Sequence, residues 1–272
     1  MASAQNDRST VPITTGSPER FGYSWENYCD ILPEHEAQFA RWTSPLIRED
    51  WKNVTFLDVG CGIGRNSYWP LQYGATAGLA IDVDERTLAS ARRNLREFEN
   101  VEVRFQSVYD LDEDGRFDTV YSIGVVHHLE FPELAVEKMV RSAKPGGTVL
   151  VWLYGYENNE WIVRMADPVR KALFSRMPLG LVHALSLPLS ALLWTALKLG
   201  FGPIEFFKMA RGFTFPHLRA IVFDHMIPKI ARYYRREEAA ALLRNAGLKD
   251  VNIIWVNEMS WAVSGTKPKP TD

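Results

Sequence analysis

The chain has 272 residues, 46% of them hydrophobic and 24% charged, with a formal net charge of -2. That length supports one large domain or a core with a sizeable insertion, and the composition excludes collagen-like, coiled-coil and wholly disordered classes. Near-neutral charge argues against a nucleic-acid partner, whose phosphates favour a basic stripe, and only short pairs such as Arg92-Arg93 and Arg235-Arg236 occur.

Residues 1–20 are polar and rich in Ser, Thr and Pro, so a flexible tail without the apolar stretch of a secretory signal is expected, and with it a cytoplasmic protein. Residues 21–50 form an aromatic and helical segment. In it Tyr23 and Trp25 are candidate acceptor contacts, and a helix is expected from Pro33 to about Ile47, with Phe39, Trp42 and Leu46 at helical spacing. From Val54 the apolar runs alternate with helical stretches, the pattern of βαβ units. Five strands are expected at Thr55 to Val59, Ala77 to Asp82, Val101 to Gln106, Phe117 to Ile123 and Thr148 to Leu153. Residues 51–154 are therefore read as a Rossmann-like core, and 235–272 as its closing part. The closing part is an amphipathic helix from Arg235 to Ala246 ended by Gly247, then an antiparallel pair near Val251 to Val256 and Trp261 to Gly265. The fold expected is α/β: a doubly wound, mainly parallel seven-stranded sheet with an antiparallel closing strand. Residues 155–234 interrupt the alternation and read as an inserted helical cap over the substrate. Cys29 and Cys61 stand in no metal-binding spacing, and no metal is expected.

The strongest signal is Leu57-Asp58-Val59-Gly60-Cys61-Gly62-Ile63-Gly64-Arg65, where an apolar strand ends in an acid and three glycines at every second position. Glycine suits a sharp strand-to-helix turn and the close approach of a ligand to backbone. Asp82 ends the next strand, where an acid can bind ribose hydroxyls. The same layout could hold NAD, but NAD carries a pyrophosphate and S-adenosylmethionine (AdoMet) none. Asp58 at the mouth of the loop would repel phosphates and attract the amino group of AdoMet. The G-x-G-x-G spacing also departs from the dinucleotide form.

Together, Asp58 to Gly64, Gly78-Leu79-Ala80-Ile81-Asp82, Phe117-Asp118-Thr119-Val120 and Lys144-Pro145-Gly146-Gly147 resemble the ordered motifs of class I AdoMet-dependent methyltransferases, over about Trp51 to Leu153. The resemblance implies that Asp58, Gly60, Cys61, Gly62 and Gly64 meet the methionine part of AdoMet and that Asp82, with Val83 beside it, binds the ribose. Where the family often has an adenine-binding Asp this chain has Ser107, followed by Val108. Ile123-Gly124-Val125-Val126-His127-His128 resembles the segment beneath the reacting methyl.

His128 could accept a proton from the acceptor, or it could fix the loop by hydrogen bonding while His127 packs. Tyr154 and Tyr156 follow the fifth strand and could border the acceptor. Asp224 and His225, with Tyr234 nearby, are further candidates in the cap, although neighbours on a helix point about 100° apart. The charge-free run Met177 to Leu197, broken by prolines, is expected to form shorter apolar helices that help select an apolar acceptor, with peripheral membrane contact as the alternative. The function expected is methylation of a small, apolar or amphipathic metabolite, at a hydroxyl or carboxylate. A noncatalytic AdoMet-binding protein, a nicotinamide-dependent oxidoreductase and an RNA methyltransferase are the rival readings.

Overall fold

The computed structural model describes residues 19–21 and 30–270. Its centre is a seven-stranded sheet made of β1 (Thr55–Val59), β2 (Ala77–Asp82), β3 (Val101–Phe105), β4 (Phe117–Ile123), β5 (Ala143–Tyr154), β6 (Lys249–Val256) and β7 (Ser260–Thr266). They lie in the order β3-β2-β1-β4-β5-β7-β6. The first five pair in parallel, and β7 runs antiparallel to both β5 and β6, as the sequence pattern predicts. Near-continuous apolar strands need cover on both faces. One face packs Leu57, Val59, Leu79, Val120 and Val149 against α4 (Pro132–Ser142) and α9 (Arg236–Asn245). On the other, Phe56, Tyr121 and Leu150 meet Phe39 of α1 (Glu34–Trp42), Trp51, and Trp69 of α2 (Arg65–Gln72). The chain steps outward from β1 to β3 and then returns to β4, so a crevice opens at the carboxyl ends of β1 and β4.

Between β5 and α9 the chain forms α5 (Asp167–Ala172), α6 (Leu179–Lys198), α7 (Glu205–Ala210) and α8 (Phe215–Met226). The two ends of this insertion are hydrogen-bonded neighbours: Tyr234 N–H donates to Tyr154 O (2.9 Å) and Tyr156 N–H to Tyr234 O (2.9 Å). The β6–β7 turn also holds the insertion. In this three-residue turn Asn257 and Glu258 both have positive φ (52° and 55°), and Met259 N–H donates back to Val256 O. Phe206 N–H donates to Asn257 O, and Glu205 N–H to Glu258 Oε2 at 2.7 Å.

Three expectations change. The apolar run is one 20-residue helix with Pro188 inside it, not several short ones. Proline removes a helical donor and crowds the preceding turn. The helix nevertheless runs through it, and one turn earlier it is tied to α8, where His183 O accepts Arg219 Nη2 (2.8 Å) as well as Ser186 Oγ (2.7 Å). The helix expected up to Ile47 stops at Trp42, because Pro45 disfavours helical backbone in the residue before it and Thr43 Oγ1 caps Phe39 O. The polar tail expected through residue 20 is anchored at its end. Arg20 is buried, donating through Nε to Ile227 O (2.7 Å) and through Nη2 to Phe174 O (2.8 Å), carbonyls that helix ends leave open.

Candidate active site

The crevice deepens into one cavity of about 1240 Å3 between the sheet edge and the insertion, larger than the roughly 300–1,000 Å3 of most ligand sites. Its floor begins with the loop after β1. Gly60 N–H and Cys61 N–H both donate to Ile81 O, and Gly62 N–H donates to Asp82 Oδ2 at 2.9 Å. The loop is thereby tied to the end of β2. A side chain on Gly60 (φ +77°) would meet Val125 Cγ2 at 2.4 Å, so this glycine lets the loops after β1 and β4 touch. Gly60, Cys61, Gly62, Asp82, Val83, Ser107, Val108, Ile123 and His128 all line the cavity.

Asp82 accepts Val83 N–H (2.7 Å) and Asp84 N–H (3.2 Å) on Oδ1 besides Gly62 N–H on Oδ2. Each oxygen keeps acceptor capacity, and the residue faces the cavity. Burial pushes its carboxyl up, and those three backbone bonds oppose the push. Asp84, also on the wall, caps α3 (Glu85–Asn94), accepting Arg86 N–H and Thr87 N–H. Ser107 Oγ accepts Tyr109 N–H at 3.2 Å and so shapes the turn after β3.

Two residues expected at the loop lie elsewhere. Asp58 is fully buried beneath the loop and is not part of the cavity wall. Ser67 Oγ donates to its Oδ2 at 2.6 Å, while Oδ1 has no hydrogen-bond partner among the described residues. Burial pushes its carboxyl up to about 7 despite the Ser67 bond. Gly64 also stands behind the wall, where a Cβ would meet Leu95 Cδ1 at 2.9 Å, so packing against α3 explains it. Strand alternation turns Asp58 under the sheet end, and the start of α2 carries Gly64 away.

On the far side, His128 Nδ1 lies 2.7 Å from Ile230 O, and since a carbonyl only accepts, Nδ1 carries the proton. The Nε2 lone pair is thus left for the cavity, which the ring lines. Burial holds His128 down at about pKa 4, so it is neutral at physiological pH. His127 is fully buried against Tyr154, ring centroids 4.0 Å apart, and is not part of the wall. Tyr154 lines the cavity with His225 stacked on it at 5.5 Å and Tyr233 at the same distance. Asp224 and His225 both reach the wall, yet they do not form a couple: His225 Nδ1 is 2.9 Å from Ile221 O of its own helix, and Asp224 sits in the field of Arg65.

Tyr156 and Tyr234 are not part of the wall. Arg235 covers the Tyr156 ring at 4.2 Å, and Tyr234 packs on the core beneath β5. Neighbouring residues point apart, so Tyr233 takes the position expected for Tyr234. Tyr23 and Trp25 lie outside the described residues. Sequence reasoning missed Arg65, Trp42, Trp152, Arg170 and Asp167, all on the wall. Arg65 follows the glycine loop directly and its position could have raised it, whereas Arg170 and Asp167 are brought in only by the fold of the insertion.

Comparison with known proteins bears on this geometry. Residues 57–151 match the family model described as a methyltransferase domain. That stretch, about a third of the chain, is similar to the class I AdoMet-dependent methyltransferase domain whose motifs the sequence carries. The chain is 35% identical over 130 residues to the ubiquinone biosynthesis O-methyltransferase of Azotobacter vinelandii, covering 46% of this chain and 55% of that one. It is 29% identical over 135 residues to the tRNA U34 carboxymethyltransferase of Pseudoalteromonas atlantica, covering 44% and 41%. The chain thus spans about half the length of the curated relatives it matches. In fold it is similar to the Burkholderia thailandensis 1,6-didemethyltoxoflavin-N1-methyltransferase with its substrate and S-adenosylhomocysteine bound (TM-score 0.56, 15% identity, 93% and 87% of the two chains). AdoMet is the cofactor of the family, which sets the nicotinamide reading aside. The residues present fit it: a carboxylate with spare acceptor capacity ends β2, and apolar Val83 and Val108 line the wall beside it.

Proposed function

We propose that the methyltransferase transfers the AdoMet methyl group to a hydroxyl of a small apolar or amphipathic acceptor held between the sheet and the insertion, which acts as a substrate cap. The carrying observation is the continuity of the cavity, whose wall runs from Asp82 and Val108 past His128 and Tyr154 to Leu189, Leu193, Phe207 and Phe213. Such a volume has room for two ligands, which a noncatalytic AdoMet-binding protein would not need.

Asp82 is the group to receive the ribose hydroxyls, Gly60 to Gly62 the methionine end, and Val83, Ser107 and Val108 the adenine border. Asp58 acts through the loop, as a buried carboxylate that a cation above it stabilises, and not by contact. When bound, AdoMet supplies an electrophilic methyl group on sulfur. Alignment of the acceptor and exclusion of water do most of the remaining work. The cap excludes water with Leu189, Leu193, Phe207 and Phe213. His128 Nε2 takes the acceptor proton, its tautomer held by Ile230 O, and His225 and Tyr233 brace the Tyr154 ring beside it. The O-methyltransferase relative supports a hydroxyl acceptor in the same way.

Incubation of cell extracts with isotopically labelled AdoMet and the protein tests this reading. Label should enter an organic-soluble, base-stable product. Label confined to polar metabolites or to nuclease-sensitive material would overturn it.

A further inference from the structure

The outer surface of the cap is inverted in its chemistry. Among the described residues, ten of the fourteen exposed large apolar side chains fall between Trp161 and Phe201. The helix α6 shows the inversion most plainly. Its buried positions include Ser186 and Ser190, which satisfy themselves on the backbone carbonyls His183 O and Ser186 O, while Leu181, Leu187, Leu189 and Leu192 face outward. A surface helix of a water-surrounded protein has the opposite arrangement. Patches of this kind mark contact with a partner or a membrane.

Two further observations select the occupant. The exposed apolar residues Trp161, Met165, Val169, Leu189 and Leu192 also line the main cavity, so the cavity opens through the patch. Charge is equally one-sided. The cap holds ten basic against five acidic residues although the whole chain is net -2; Asp167 pairs with buried Arg170 and with Lys171, and residues 168–204 add exposed Arg176 and Lys198 with no acid in that stretch. Like charges around the patch oppose its pairing with a second copy of itself. A leucine face rimmed by basic residues suits an anionic bilayer surface. The helix is long and apolar enough to cross a membrane, but only by length and composition. Val182 and Leu197 bury one side of it in the cap, and Arg219 holds it to α8, so it lies along the surface.

We infer that the cap docks on an anionic lipid bilayer with α6 in the interface, and that the cavity takes its acceptor directly from the lipid phase. The delivery of the acceptor rests on the proposed activity, while the docking does not, and the test separates them because it needs no turnover.

The full-length protein would be sedimented with phosphatidylcholine vesicles and with vesicles containing a third phosphatidylglycerol. Binding should be at least about tenfold tighter to the anionic vesicles, since each basic residue near such a surface contributes about fivefold, and 0.5 M salt should remove that preference. The variants Leu187→Glu and Leu199→Glu alter exposed positions away from the cavity wall and should leave folding, followed by circular dichroism, unchanged. Each should lower vesicle affinity at least about tenfold. The inference falls if neither vesicle retains the protein, or if both variants bind like the parent. It falls equally if light scattering shows a dimer that the variants dissociate, which would make the patch a self-association face. Retention on single-stranded RNA that survives both variants, without vesicle binding, would assign the basic residues to nucleic acid and overturn it too.

Discussion

The two walls of the cavity are made in different ways. The sheet wall is largely backbone: Gly60, Cys61 and Gly62 are fixed by bonds to Ile81 O and Asp82, and Asp82 is itself fixed by three N–H groups. The cap wall is largely side chain, with Leu193 and Phe207 set on helices and Phe213 and Tyr233 on the irregular segments beside them. The match to the methyltransferase family model stops at residue 151, just before the chain enters the second wall. A wall of backbone can hold one cofactor through many sequence changes, whereas a wall of side chains can be rewritten by substitution. Cofactor and acceptor affinity should therefore separate cleanly in mutants.

The sharpest separation is expected at the join. His128→Gln should lower kcat by about 10²- to 10⁴-fold, the usual contribution of a positioned base, with AdoMet affinity retained in calorimetry. Loss of AdoMet binding to the same degree would place His128 in the sheet wall instead. Because His128 ionises only near pH 4, activity of the parent should hold down to about pH 5 and not fall through 6.5. On the sheet side, Asp82→Ala should weaken AdoMet by about 10- to 150-fold, the equivalent of about 1.5–3 kcal/mol for bonds to a charged acceptor. Titration of a folded variant with unchanged affinity would remove Asp82 from the cofactor site.

On the cap side, Leu193→Ala should raise the acceptor KM by roughly tenfold, the lower end for exposing a leucine contact, and leave the AdoMet dissociation constant alone. Steady-state kinetics with the acceptor varied will read this. The smallest effect concerns Asp58. Folded Asp58 keeps its proton up to about pH 7, while in the unfolded chain it is released near 3.8. Its raised value therefore gives a stability contribution that is full below about pH 4 and lost as pH rises through 7. A cationic ligand above the loop prefers the ionised form, so AdoMet affinity should improve by up to about tenfold from pH 6 to pH 8. Asp58→Asn should flatten that dependence.

The sheet wall was legible because its signals are local. Asp58 to Gly64 and Asp82 announce a strand end, a tight turn and an acid within one βαβ unit. The direction of Asp58 was not legible, since whether an acid at a strand end faces ligand or core depends on strand alternation against the helix above. Five strands have the expected bounds within one residue, β6 begins two residues early, and β5 begins earlier still because Ala143 pairs with Phe117 across a bulge before Thr148 meets Thr119. The cap wall was far less readable. Pro188 signals a break in isolation, whereas the continuous helix is held by contacts distant in sequence, such as Arg219 on His183 O and Val182 packed with Phe223. Tyr233 and Tyr234 could be told apart only once the backbone between Ile230 and Arg235 was placed. Arg170 and Asp167 were invisible as site residues for the same reason: their pairing is local, three residues apart in one helix, but the bond from Arg170 to Pro228 O that sets the pair on the wall arises from tertiary approach.

The insertion leaves and rejoins the core at Tyr154, Tyr156 and Tyr234, which are bonded to one another. Its endpoints lie within one hydrogen-bonded step, so exchanging it for a segment of another length costs the core little loop-closure entropy. The junction is a natural grafting point. On the proposed function, a lineage, or an experimenter, could swap the whole insertion there and keep the glycine loop and Asp82, so that new substrates would arise by transplantation at one seam and not by gradual alteration of the sheet.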